Sequence, residues 1–109
     1  MRKSIPALAA AAVAVAISVT SVASAAPRVT DPGLTVFTSA GCAACHILVA
    51  AKAKGMVGPN LDQLKPSTAR VAAQVKKGGG GMPSYKSTLS AAQIKAVASF
   101  VAKNAGRKK

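Results

Sequence analysis

Tryptophan is absent from this chain, and Phe37, Tyr85 and Phe100 are the only aromatic side chains in 109 residues. A small domain with so thin an aromatic core needs a staple, such as a metal or cofactor, to offset chain entropy. Histidine occurs once and cysteine twice, which leaves a zinc centre short of two good ligands. Acidic residues number two against fifteen Lys and Arg, a formal net charge of +13 at pH 7. No alternating strand pattern and no internal repeat is visible, so a large sheet and a repeat array are both disfavoured.

What is present begins with a leader. Arg2 and Lys3 precede an apolar stretch from Ile5 to about Val22, and Ala23-Ser24-Ala25 supplies small residues ahead of Ala26-Pro27. This is the architecture of a secretory signal peptide. Cleavage is expected after Ala25, because cutting one residue later would put Pro27 directly beyond the scissile bond. Retention of the segment as a membrane anchor is the alternative, since its length nearly spans a bilayer. With residues 1–25 removed, 26–109 form one exported or periplasmic domain of 84 residues. Its thirteen basic residues face only Asp31 and Asp62, a net charge of +11. Such a surface steers toward acidic partners and is sensitive to salt. Nucleic-acid binding competes as an explanation of the charge, but export and the lack of interleaved aromatics argue against it. Gly106-Arg107-Lys108-Lys109 reads as a solvated tail, with weak contact to an anionic membrane surface as its alternative.

The motif that carries chemistry is Cys42-Ala43-Ala44-Cys45-His46. C-x-x-C-H is the spacing of covalent c-type haem attachment. On a helix, positions i, i+3 and i+4 share one face, so both thiols and the imidazole can meet a single planar ligand. A short disulfide loop and a thioredoxin-like redox pair are the competing readings. The second needs βαβ patterning around the motif, which is missing.

Around the motif the pattern is helical. Asp31-Pro32 suits an N-cap and first position, so a helix is expected from about Pro32 to Ala40, running on into the motif. Residues 47–66 read as loop, broken at Gly55, Gly58 and Pro59. Ser67 or Thr68 caps a second helix that carries Val71 and Val75 on one face and ends at Gly78. Ser90 and Gln93 form a capping box for a last helix. Its buried face is Ile94, Val97, Ala98 and Val101, with Phe100 beside it and Gly106 at its end. Loops this long in a small domain need something to organise them, and a central cofactor would do so.

If His46 supplies one axial position on iron, a second ligand is expected. By spacing, Met82 leads: it follows the glycine run 78–81, which leaves the chain free to cross to the other side of the cofactor, and precedes Pro83. Met56 is the rival, and gap-filling in the core is the alternative for both.

With these elements in order, the chain resembles the class I c-type cytochromes, the small soluble single-haem electron carriers. Gly33-Leu34-Thr35-Val36-Phe37 looks like the G-x-x-x-F of that family's first helix, and Gly58-Pro59-Asn60-Leu61 is similar to its G-P-x-L loop. Gly78 to Pro83 fits G-x-G-x-M-P, and Leu89 to Val101 resembles the closing helix. The resemblance implies an all-α cytochrome c fold, with three or more helices and long loops wrapped around one haem c attached through Cys42 and Cys45. It implies iron held by His46 and Met82, and a Pro59 carbonyl that accepts a hydrogen bond from the His46 ring. Tyr85 would pack near the haem beyond the methionine, while Phe100 would cross the first helix near Gly33. Asn60 and Lys86 are weaker candidates at the haem edge.

The implied function is a non-enzymatic, monomeric carrier of single electrons between exported or membrane-bound redox partners, such as oxidases, reductases or dehydrogenases. Lys52, Lys54, Lys76, Lys77 and Lys86 are its candidate steering charges. One departure is that all four residues before Met82 are glycine, which keeps a haem-based ligand sensor or weak peroxidase, with Met82 displaced, as the alternative. A subunit tethered to a dehydrogenase or oxidase is a third reading.

Overall fold

A computed structural model describes residues 14–18 and 30–107. Most of the expected leader, the expected cleavage point after Ala25, and Lys108 and Lys109 lie outside the described residues. Within them the order is α1 (Pro32–Ser39), β1 (Ile47–Leu48), β2 (Ala53–Lys54), α2 (Leu61–Leu64), α3 (Thr68–Lys77) and α4 (Ala91–Asn104). No helix among the described residues is long and apolar enough to cross a membrane.

Local chemistry starts α1, α3 and α4 where the sequence predicts. Asp31 accepts from the Gly33 N–H at 2.8 Å with Pro32 in the first turn, and Ser67 accepts from the Arg70 N–H at 3.1 Å. Ser90 and Gln93 form both bonds of the capping box, at 3.1 and 2.8 Å. The Asn60 side-chain oxygen accepts from the Asp62 and Gln63 N–H groups and starts α2, a short helix inside the span expected to be loop. The expected α3 stops at Gly78 as predicted, and α4 ends slightly before Gly106, at Asn104.

Two expectations change. The first helix does not run into the motif: α1 ends at Ser39, and Gly41 turns the backbone left-handed at φ +80°. Cys42–Ala44 then form a separate 3₁₀ turn. Residues 47–66 are more ordered than plain loop, because β1 and β2 pair antiparallel, Ile47 with Lys54 and Leu48 with Ala53. Ile47 also bridges to Asn60 on its other side. Strands of two residues are too short to show alternation, so periodicity does not reveal them.

The core is where α4 crosses α1 and packs on α3. Phe37 of α1 and Phe100 of α4 meet with ring centroids 6.1 Å apart and planes tilted by 59°, an arrangement that suits the ring quadrupoles. Val97, Ala98 and Val101 are almost wholly buried beside Phe100, so the predicted stripe faces inward and Phe100 belongs to it. Leu48, Ala53, Leu61 and Val75 complete the cluster. Asp62 closes the structure over a long span: its carboxylate accepts from the Val49 N–H at 2.9 Å and from the Gly106 N–H at 2.8 Å.

The crossing depends on Gly33, where a Cβ would collide with the Ala96 carbonyl oxygen and the Phe100 Cβ. Gly33→Ala must push α1 off α4, and overpacking of this kind costs about 1–3 kcal/mol. A lower denaturant midpoint of the holoprotein, with unchanged slope, is the expected result; an unchanged midpoint would show that the helices do not cross this tightly.

Candidate functional site

The 3₁₀ turn holds the motif by two backbone bonds, from Cys45 N–H and His46 N–H to the Cys42 carbonyl, at 3.2 and 3.0 Å. A helix is therefore not what gathers the three side chains; one tight turn does so. The segment after it folds straight back. Gly55 donates to the His46 carbonyl at 3.1 Å, and Gly58 donates to the Cys45 carbonyl at 2.6 Å. That return brings the Pro59 carbonyl to 2.8 Å from His46 Nδ1. Nδ1 carries the hydrogen and donates, because a carbonyl can only accept. Nε2 is then the ring nitrogen left for a metal, with its orientation fixed from behind.

Cys42, Cys45, His46, Met82 and Tyr85 all line one cleft of about 360 Å³. Phe37, Val75, Val97 and Val101 contribute its apolar walls, so the core helices also shape the site. Met56 is 85% exposed and does not line the cleft. Tyr85, three residues beyond Met82, donates from its hydroxyl to the Ala40 carbonyl at 3.1 Å and from its backbone to Val75 at 2.9 Å. It ties the segment after Met82 to the end of α1 and to α3. Burial first, and then the Cys42 and Cys45 sulfurs, hold its phenol above the ordinary value, so it stays a donor.

Cys42 and Cys45 are not joined in a disulfide. Burial pushes the Cys42 thiol up, opposed by a backbone hydrogen bond and reinforced by Cys45. A C-x-x-C oxidoreductase needs the opposite, a thiol made acidic by its surroundings. Among the described residues no group of three or more His, Cys, Asp and Glu side chains could hold a metal ion alone. The donor set instead fits a haem: two neutral thiols at attachment spacing, an imidazole with one nitrogen satisfied, and a thioether in an apolar cleft.

Two polar residues that line the cleft were not signalled by any motif. Arg70 and Gln74 stand one turn apart on α3, next to the inward-facing Val71 and Val75. Their i, i+4 spacing beside that apolar pair is the one available clue. Lys86 does not line the cleft.

A four-helix shell around an apolar cleft that contains C-x-x-C-H defines a cytochrome c domain, and comparison with known proteins gives the same class. Residues 29–101 match the family described as cytochrome C oxidase, cbb3-type, subunit III. The chain is similar to the crystal structure of the c-type cytochrome SorU from Sinorhizobium meliloti, with 43% identity and a TM-score of 0.66. That match covers 70% of this chain and 90% of the other. Cytochrome c6C from Synechococcus sp. PCC 7002 is similar at 29% identity and a TM-score of 0.54, over 70% of this chain and 96% of the other. Nothing among the curated proteins matches. The chain belongs to the class I monohaem c-type cytochromes and carries covalently bound haem c.

The contact behind His46 gives a direct test. A Cβ on Gly58 would stand 2.7 Å from His46 Cε1 and 3.0 Å from Nδ1. Gly58→Ala is expected to break the bond to Pro59, a loss of about 1 kcal/mol. The His46 ring N–H of the ferrous holoprotein should then exchange with solvent about five-fold faster by NMR. Equal exchange rates would show that the loop does not hold the ring.

Proposed function

We propose that this chain is an exported, six-coordinate electron carrier in which His46 and Met82 are the two iron ligands and Cys42 and Cys45 the attachment points. The observation that carries the reading is that Met82 lines the cleft with His46 while Met56 lies outside it, 85% exposed. Bound haem c supplies the one-electron couple between ferrous and ferric iron. The chain's own residues set its conditions. Pro59 holds the His46 ring in one tautomer and raises its basicity. The apolar walls and the basic surface disfavour the extra charge of the ferric state, and Met ligation acts in the same direction. Arg70 is the cation at the cleft able to pair with a haem carboxylate. With both axial positions filled, no coordination site is left for a substrate, which supports a non-enzymatic role.

Export rests on the leader 1–25, with residues 26–109 as the mature domain and the periplasm or another extracytoplasmic space as its location. Partner docking is supported at the cleft mouth by Val57, which is 85% exposed and lines the cleft. Met56 beside it is equally exposed, and Lys52 and Lys54 stand nearby in sequence. This apolar pair with basic neighbours suits a transient contact with an acidic redox partner, steered by charge.

One observation favours a second reading. Residues 79–81 all have positive φ, and a Cβ at any of them would meet nothing within 4 Å. Four consecutive glycines at positive φ, 78–81, lead into Met82, and the backbone freedom of such a run supports a sensor or weak peroxidase in which Met82 leaves iron. Carbon monoxide added to the ferrous holoprotein at neutral pH separates the two. The carrier predicts a stable low-spin spectrum and no binding within seconds, whereas rapid, stoichiometric binding would establish the second reading.

A further inference from the structure

The exposed lysines do not all belong to the cleft mouth. Lys76 and Lys86, together with Lys95, line a separate groove between α3 and α4 that shares no lining residue with the haem cleft. The two sites occupy opposite flanks of α3. Val71, Gln74 and Val75 line the cleft, while Ala69, Ala72, Ala73 and Lys76 line the groove. Leu89 and Ile94 extend the groove's apolar floor.

The basic rim is built rather than scattered. Ser84 donates from its hydroxyl to the Lys76 carbonyl at 2.7 Å and accepts from the Lys86 N–H at 3.4 Å. This bond pair fixes the backbone of Lys86 beside the end of α3. Among the described residues no acidic side chain lines the groove. The mature domain has two acidic side chains: Asp31 caps α1, and Asp62 is bonded to Val49 and Gly106. Neither lines the groove.

We propose that this groove docks an acidic amphipathic helix of a protein partner, at a site distinct from the haem mouth. Alanines at 69, 72 and 73 let a helix approach closely, and its apolar face would cover them and the half-buried Leu89. Carboxylates along its flanks meet the ammonium groups of Lys76, Lys86 and Lys95. A second copy of this chain is a poor occupant, because the mature domain carries +11 and would repel itself. Docking here leaves the cleft mouth open, so the carrier can stay attached to one protein while exchanging electrons at another face.

The test is an NMR titration of ¹⁵N-labelled ferrous holoprotein with a synthetic helical peptide, leucine on one face and glutamate along both flanks. Amide shifts are expected at Ala69, Ala72, Ala73, Lys76, Lys86 and Lys95, and not at Cys42 to His46 or Gly58. Ala73→Glu, at an exposed position, should weaken binding roughly ten-fold with an unchanged absorption spectrum. The double variant Lys76→Gln, Lys95→Gln should do the same, and so should scrambling the peptide to remove its apolar face. Any of four results overturns the proposal: shifts centred on the cleft, equal binding by the variants, equal binding of the scrambled peptide, or shifts caused by anionic phosphatidylglycerol vesicles but not by the peptide. Because the absorption spectrum is read separately from binding, loss of the groove site leaves the electron-carrier reading intact.

Discussion

The hydrogen bond between His46 and Pro59 is the constraint on which the site depends. A histidine presented by one short turn has a ring free to rotate, and a rotating ring is a poor ligand. The chain spends residues 47–62 removing that freedom. The β1–β2 ribbon reverses direction and Gly55 and Gly58 bond back to the motif. Asn60 then starts α2, and Asp62 bonds Val49 and Gly106, two residues past α4. The imidazole is thereby referred to the α1–α4 crossing, where Phe37, Val97 and Val101 are buried. Disturbance at Gly33 or Phe100 should reach the ligand by this route.

Much of this was legible in the sequence because it is local. The caps at Asp31, Ser67 and Ser90, the stripe on α4 and the stop at Gly78 are all written within a few residues. The family pattern added the Pro59 carbonyl and the approach of Phe100 to Gly33, and both contacts exist in the structure. What was not legible is the part held by distant partners. The Asp62 bond to Gly106 spans 44 residues, and no periodicity announces it. The break at Gly41 is not legible either, because the motif's spacing also suits a continuous helix. The lysines illustrate the same limit: sequence gives their number, whereas the packing of α3 on α4 decides that Lys76 and Lys86 line a different face from the cleft.

Charge and shape together give α3 two roles. One flank walls the cofactor cleft with Val71 and Val75 and carries Arg70 and Gln74 there. The other flank presents alanines and Lys76 to a groove. Since Asp31 and Asp62, the two acidic side chains of the sequence, both accept from backbone N–H groups, its many cations are left for partners. On the proposed docking, long-range steering would gather acidic surfaces and short-range apolar contact would orient them.

The central claim is that iron is held between His46 and Met82. Its most direct test is the ferric absorption spectrum of two variants of the exported holoprotein, read at the methionine–iron charge-transfer band. The band is expected to vanish in Met82→Ala and to persist in Met56→Ala. Persistence in Met82→Ala, or loss in Met56→Ala, would contradict the account.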